Sequence, residues 1–433
     1  MPSPDRLTVK GISMNDQQPD MRSFSELNQS EDCNMGKNAQ TPSLRFTGFT
    51  APWEQQKLSS IVDRVTRKNT DLQSLLPLTI SAQYGLVDQI TYFNNRVASQ
   101  NISNYYLIKN GEFAYNKSSS DGYPFGTVKR LDLYNMGVLS TLYIIFAIKD
   151  QNVNSDFLVC YYDTDKWHKQ ISERAAEGAR NHGLLNISTE EFLDTTLMIP
   201  SDIEEQYLIG TYLKELDNLI TLQQHKIEKL INVKKSMLEN MFPQENESVP
   251  KIRFSGFTAP WEQHKVQDVF KITRGYVLAA PETSEALSDE MPYPVYSSQT
   301  KNNGLMGYYK DYLYENAITW TTDGANAGTV NYRSGKFYCT NVCGVLLSDE
   351  GYANKCVAEA LNNVAWKWVS HVGNPKLMNN VMGEIPITLP ISIEEQNQIS
   401  DFFEQIDTLI TLHQQKLEKL KNIKKSMLEK MFV

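Results

Sequence analysis

This chain is poor in cysteine, carries no long apolar run and has no surplus of positive charge, and each lack removes a class of function. The five cysteines among 433 residues show no framework spacing, which excludes a disulfide-stapled secreted scaffold. Cys339 and Cys343 stand close enough to suggest a metal site. The six histidines are scattered, however, and no second close cysteine pair completes four ligands, so buried free thiols are expected. Apolar runs such as Leu142 to Ile148 are far too short to cross a bilayer, and no membrane association is expected. The opening residues, MPSPDRLTVK, lack the apolar stretch of a secretory signal. The expected setting is the reducing cytoplasm.

Charge and motifs narrow the field further. A net charge of -9 argues against a protein that grips nucleic acid unaided by neutralising phosphates. Residues 45–200 carry 15 basic and 16 acidic side chains, and residues 253–390 carry 11 and 13, so partners would have to supply much of any nonspecific grip. The glycine-rich run Gly324 to Thr329 has no lysine before Thr329 and opens no helix, unlike a phosphate loop. No Asn-Pro-Pro-aromatic or Asp-Pro-Pro-aromatic sequence for amino-methyl transfer occurs; Asn374-Pro375-Lys376-Leu377 lacks the second proline and the aromatic residue. Nothing pairs a serine, histidine and aspartate into a triad. The chain reads as non-catalytic, with no cofactor of its own.

What is present is a duplication. RFTGFTAPWEQQK at Arg45 to Lys57 returns as RFSGFTAPWEQHK at Arg253 to Lys265, identical at 11 of 13 positions. Ile203 to Pro243 matches Ile393 to Val433 at 24 of 41 positions. The offsets are 208 and 190, so the first middle is 18 residues longer. Similar ends frame dissimilar middles, which suits one scaffold built twice to carry two different heads. The expected divisions are a disordered leader at 1–40, a first head at 41–200, a helix at 201–243, a polar linker at 244–252, a second head at 253–390 and a second helix at 391–433.

Each closing phrase reads as one long helix. Asp202 with Glu205, and Ser392 with Glu395, offer an N-cap followed three residues later by glutamate. A heptad assignment places Leu213, Ile220, Ile227, Lys234 and Met241 at a, with Ile209, Leu216, Gln223, Leu230 and Met237 at d. The second copy places Phe403, Ile410, Leu417, Lys424 and Met431 at a, with Ile399, Ile406, His413, Leu420 and Met427 at d. Because both copies carry the same seam, the simplest partner for each helix is the other. A pseudo-twofold arrangement makes them antiparallel and brings Gln223 against His413, a polar layer able to fix register. The alternative is two amphipathic helices, each lying on its own domain.

The middles read as mixed α/β domains rich in strand. LIKNGEFAY, Leu107 to Tyr115, sets Asn-Gly between apolar runs and predicts a hairpin. Both middles then show a strand, a polar glycine-bearing loop ending in Gly-Thr-Val (Gly126-Thr127-Val128 and Gly328-Thr329-Val330), and a later apolar strand. The fold class expected is α+β: two mixed α/β recognition domains separated by two long antiparallel helices forming a coiled coil. Amides, hydroxyls and guanidinium groups on loops have the chemistry of base reading. The candidates are Lys117, Ser118, Ser119, Arg130, Arg180, Asn181 and His182 in the first middle. In the second they are Ser298, Gln299, Lys301, Asn302, Asn303, Thr321, Asn326 and Arg333. Each taken alone is better explained as an ordinary solvated loop side chain, and His182 as part of a turn, because Gly183 aligns with Gly373 at the helix offset; the candidates carry weight only as sets.

Two units, each opening with RFxGFTxPWEQxK and closing with IEEQ…LDxLITLxQxKxEKLxxxKKSMLExMF, make the chain resemble the specificity subunit of a type I restriction-modification system. The resemblance runs from about Leu44 to Val433. It implies two target recognition domains, each reading half of a bipartite double-stranded DNA site, held apart by two helices acting as a ruler. It further implies two modification subunits that methylate adenine with S-adenosylmethionine, and restriction subunits that use ATP and magnesium. Those activities and cofactors would lie on the partners. Lys234, Lys235, Lys424 and Lys425 fall on the helices as partner surface. A helix of about 40 residues is roughly 60 Å long, which caps the spacing of the heads at about 18 base pairs. Two readings from other classes stay open at this point: a scaffold or adaptor with duplicated protein-binding domains, and a nuclease with dispersed carboxylates.

Overall fold

A computed structural model describes residues 27–29, 41–175, 183–298 and 301–433. The chain divides into two compact units, one formed by residues 1–221 with 418–433 and the other by residues 222–417. The leader expected at 1–40 lies outside the described residues, apart from Leu27–Gln29, which pair antiparallel with Leu44–Phe46. Among the described residues, no helix is long and apolar enough to cross a membrane.

Both closing phrases are single helices of 38 residues, Ile203–Asn240 and Ile393–Lys430. The division between units cuts both, so each unit holds the start of one helix and the end of the other. In the first unit, the Met-Phe that ends the second helix returns to the core built by the first opening phrase. Trp53 lies edge-on to Phe157 at 5.7 Å and to Phe432 at 6.1 Å. In the second unit, Trp261 meets Phe242 at 5.8 Å, and Phe242 meets Phe403 at 6.0 Å. Each of these buried aromatics stabilises its unit by about 1.5–3 kcal/mol, so the helix ends are anchored and do not fray.

The two repeated phrases, distant in sequence, form one motif in space. Arg45 Nη2 donates to Glu205 Oε2 at 2.7 Å, and Trp53 Nε1 lies 3.4 Å from Glu205 Oε1. Arg253, Trp261 and Glu395 repeat this at 2.8 and 3.4 Å. The structure therefore corrects the capping-box expectation. Asp202 and Ser392 do cap, receiving the backbone N–H of Glu204 and Glu395. The glutamates at the third position, though, are buried and taken by an arginine, whose charge-assisted, two-pronged bond outcompetes a neutral backbone donor.

Within the second unit the helices pair antiparallel. Gln223 Oε1 lies 2.7 Å from His413 Nδ1, the contact expected from the heptads, and Gln223 is only 2% exposed. Three layers further along, Lys234 Nζ sits 2.6 Å from Asp407 and 3.3 Å from Glu359, and Lys355 bonds the same two carboxylates. The first unit repeats the device: Lys424 lies 2.8 Å from Asp217 and 3.1 Å from Asp163, which also holds Lys129 at 2.7 Å. Seam positions nearest the helix starts, Ile209, Leu213, Leu216, Ile399, Phe403 and Ile406, are buried. Ile220, Ile227, Leu230, Ile410, Leu417 and Leu420 are half-buried, because there two helices alone must cover the seam.

The heads share a four-strand frame. In the first unit the order is Val62–Arg64, Ile144–Ile148, Phe113–Asn116, Thr127–Arg130; in the second it is Lys271–Arg274, Cys343–Leu347, Tyr314–Thr321, Val330–Cys339. The second unit extends this sheet with Tyr293–Tyr296, which pairs parallel to Val330–Cys339, and then with Leu305–Tyr309. The expected Asn-Gly hairpin is overturned. Tyr106–Lys109 pairs with Met136–Leu139, while Phe113–Asn116 joins the four-strand frame. The turn itself forms, but Gly111 N donates to Leu131 O at 2.9 Å, and Glu112 accepts Lys109 N and Arg67. Those bonds steer the flanking strands into different sheets.

Candidate nucleic-acid interface

The frame presents an equivalent pair of loops in each unit. In the first, residues 117–126 join two antiparallel strands, and their start is laced to the segment after residue 182. Ser119 N donates to Gly183 O at 2.6 Å, Leu185 N donates to Lys117 O at 3.0 Å, and Lys117 Nζ donates to Ile187 O at 3.2 Å. In the second, residues 322–329 join the matching strands and are laced to residues 370–377. Leu377 N donates to Thr322 O at 2.9 Å, and Gly324 N donates to Pro375 O at 3.0 Å. Gly183, whose carbonyl accepts Ser119 N, and Gly373, two residues before the Pro375 carbonyl that accepts Gly324 N, have φ of +69° and +75°, a left-handed conformation that side-chain-bearing residues adopt at a cost.

The sequence-predicted contact residues fall into three groups. Ser118, Asn302 and Asn303 are exposed on loops, with Lys117, Ser119, Ser298 and Asn326 half-buried beside them. Arg180, Asn181, His182, Gln299 and the Lys301 side chain lie outside the described residues. The remaining three are turned inward and cannot serve as base readers in this conformation. Arg130 donates to Asp132 at 2.6 Å, Ser155 at 2.8 Å and Asp156 at 2.7 Å, tying its strand to the helix Ser155–Tyr162. Arg333 is buried, bonds Thr319 Oγ1 at 3.1 Å and Asn303 O at 2.7 Å, and stacks 3.7 Å above the Tyr296 ring. Thr321 is buried, its backbone N–H donating to Thr329 O at 3.0 Å. A guanidinium seeks carboxylates and aromatic faces within the chain as readily as guanine outside it, which sequence alone does not separate. Arg333 instead acts by holding the Asn302–Asn303 turn in place.

The helix lysines divide in the same manner. Lys234 and Lys424 are consumed by the ion networks of the seam, whereas Lys235 and Lys425 remain exposed. The segment Ser370 to Lys376 carries exposed polar and apolar side chains beside the second loop and was missed as a candidate. The alignment of Gly183 with Gly373 was the signal that could have found it. Cys339 and Cys343 are buried free thiols, and burial pushes the Cys343 thiol up to about 11. Among the described residues, no group of His, Cys, Asp and Glu is placed to hold a metal ion.

Comparison with known proteins agrees with this architecture. Residues 259–422 match the family model described as the type I restriction modification DNA specificity domain. The N-terminal part of a type I specificity subunit of Mycoplasma pneumoniae is 43% identical over 128 residues, 29% of this chain and 66% of that protein. The specificity subunit of the type I restriction enzyme MpnII from the same organism is 36% identical over 149 residues, 34% of this chain and 44% of that one. The matched stretches thus span less than two thirds of these relatives' own lengths. In structure, the S subunit of a type I restriction-modification system from M. genitalium aligns with a TM-score of 0.64 at 16% identity, covering 91% of this chain and 99% of that one, a likeness of fold. With the repeated phrases, the paired helices and the doubled head frame, these matches establish that the chain belongs to the family of type I restriction-modification specificity subunits.

Proposed function

We propose that this chain is the DNA-recognition subunit of a type I restriction-modification complex and is itself non-catalytic. Each head reads one half of a bipartite, asymmetric site in double-stranded DNA, and the paired helices set the spacer between the halves. The observation that carries this reading is one frame with two surfaces. The Arg-Trp-Glu motif, the strand order and the loop lacing recur in both units, while the loops that the frame displays differ in sequence. Phosphate contacts position a protein on DNA and base contacts specify the site, so unlike loops on like frames suit unlike half-sites.

The helices also supply a docking surface for two copies of one partner, the modification subunit. From residue 219 to 242 the helix phrases are identical at 18 of 24 positions, against 6 of 16 from 203 to 218. The retained residues include Lys235 and Glu239 and their counterparts Lys425 and Glu429, all exposed. Packing within the chain does not require identity at exposed positions; an identical partner met twice does. Restriction subunits would join the same assembly. S-adenosylmethionine, ATP and magnesium would be bound by the partners.

The test is adenine-methylation mapping, by single-molecule sequencing, of DNA from cells expressing the chain with and without its companion modification subunit. A new interrupted motif that needs both proteins is the expected result. No new motif from subunits shown to associate would favour a protein-binding scaffold instead.

A further inference from the structure

Residues 370–376 form a short two-stranded finger. Ser370 N donates to Lys376 O at 2.8 Å, and Lys376 N donates to Ser370 O at 3.0 Å. Its base is stiffened by the bonds to Thr322 and Gly324 given above and by Lys376 Nζ, which lies 3.7 Å from Asp323. The four residues at the tip, His371, Val372, Gly373 and Asn374, are all exposed. Val372 is 92% exposed and has no structural reason to be apolar there. Trp366, 62% exposed, lies on the chain just before the finger. A rigid support displaying a solvated valine between a histidine and an asparagine is poorly explained by packing or by solubility.

We propose that the turn His371-Val372-Gly373-Asn374 is a base-contacting tip of the second unit and sets part of the sequence of its half-site. This rests on the DNA-recognition function proposed above. A major groove about 12 Å wide admits a two-stranded ribbon and shows a distinct pattern for each base pair, whereas a minor groove about 6 Å wide separates little more than A·T from G·C. In the major groove an apolar side chain can meet the thymine methyl group, and an asparagine amide can make two hydrogen bonds to adenine. Val372 and Asn374 have those chemistries, two residues apart on one turn. Gly373, with a φ of +75°, lets the turn reverse.

The experiment uses the full chain with its companion modification subunit. V372A, N374A and the triple variant H371A/V372A/N374A are compared with the parent by methylation-motif mapping and thermal unfolding. The exposed tip carries no core packing, so unfolding temperatures should match the parent. The expected result is a roughly tenfold loss of discrimination at one or two adjacent positions of one half-site, with the other half-site and the spacer length unchanged. A triple variant with the parental motif overturns the proposal, and so does equal loss in both half-sites. Complete loss of methylation by a triple variant that unfolds normally also overturns it, since the finger would then supply affinity without sequence. A parent chain that yields no bipartite motif overturns the DNA-recognition reading itself, a result separable from all of these.

Discussion

Replacing His413 with leucine should destabilise the chain more than replacing its partner, Gln223, and replacing both should cost less than replacing His413 alone. Gln223 is 2% exposed and its Oε1 takes the 2.7 Å contact with His413 Nδ1. In His413→Leu the glutamine amide stays buried without that partner, a desolvation penalty of about 1–3 kcal/mol. In Gln223→Leu the half-buried His413 keeps its access to water, so the loss stays below about 1 kcal/mol. In the double variant two apolar side chains replace a buried polar pair, a change that is commonly near neutral. The coupling between the two positions in the cycle should therefore be about 1–2 kcal/mol. For a unit of this size, His413→Leu should lower the unfolding temperature by roughly 2–12 °C, read by circular dichroism or tryptophan fluorescence. A double variant as unstable as the two single losses added together would refute the reasoning, because the layer would then be two independent sites. Polar layers of this type commonly select register at some cost in stability, so the double variant should also tolerate a wider range of DNA spacers.

Three further outcomes follow from the same structure. Arg253→Met strands the Glu395 carboxylate, which is 1% exposed, and should cost about 3–5 kcal/mol; Arg45→Met should do the same to Glu205, and an effect below about 1 kcal/mol in denaturant melts would dismiss the motif as a structural clamp. Burial alone would raise the Asp407 pKa, but hydrogen bonds and charge from Lys234 and Lys355 outweigh it and hold the carboxyl below its ordinary value. The same holds for Asp163 between Lys129 and Lys424. With folded pKa values below the unfolded value of about 3.9, this contribution is complete above that pH and is lost as pH falls through the folded values. Asp407→Asn should therefore flatten the acid limb of a melting-temperature profile below about pH 4, and an unchanged limb would contradict the assignment. Inserting one heptad at the same layer of both helices lengthens each by about 10 Å, or about three base pairs, so the motif recovered by methylation mapping should gain a spacer of that order; an unchanged spacer would refute the ruler.

The parts of this fold that could be read from sequence are those governed by periodicity and repetition. The 3.6-residue pattern of 203–240 is continuous, so the helix, its seam and the meeting of Gln223 with His413 all follow from heptad spacing. The Gly-Thr-Val phrases marked equivalent strands because the backbone geometry at a loop end constrains residue type. The destinations of charged side chains were not legible. Arg130 and Arg333 have the same local surroundings as a solvated loop arginine, and only the folded chain shows that Asp132, Asp156 and the Tyr296 ring converge on them. The Asn-Gly turn failed for a related reason: a turn specifies a reversal, while long-range bonds to Leu131 and Arg67 decide which strands pair. Glu205 and Glu395 looked like helix caps because their arginine partners stand 160 and 142 residues away.

The most direct test of two separately reading heads is to exchange residues 75–193 for the corresponding segment of another type I specificity subunit. This span runs from the exposed Leu75 to the end of the helix Thr189–Leu193, so the clamp, both long helices and the second unit remain. Methylation mapping of cells carrying the exchanged chain with its companion modification subunit should then show a motif in which one half-site is replaced. The other half-site and the spacer should stay as they were. A change in both halves, or in neither, would contradict the account.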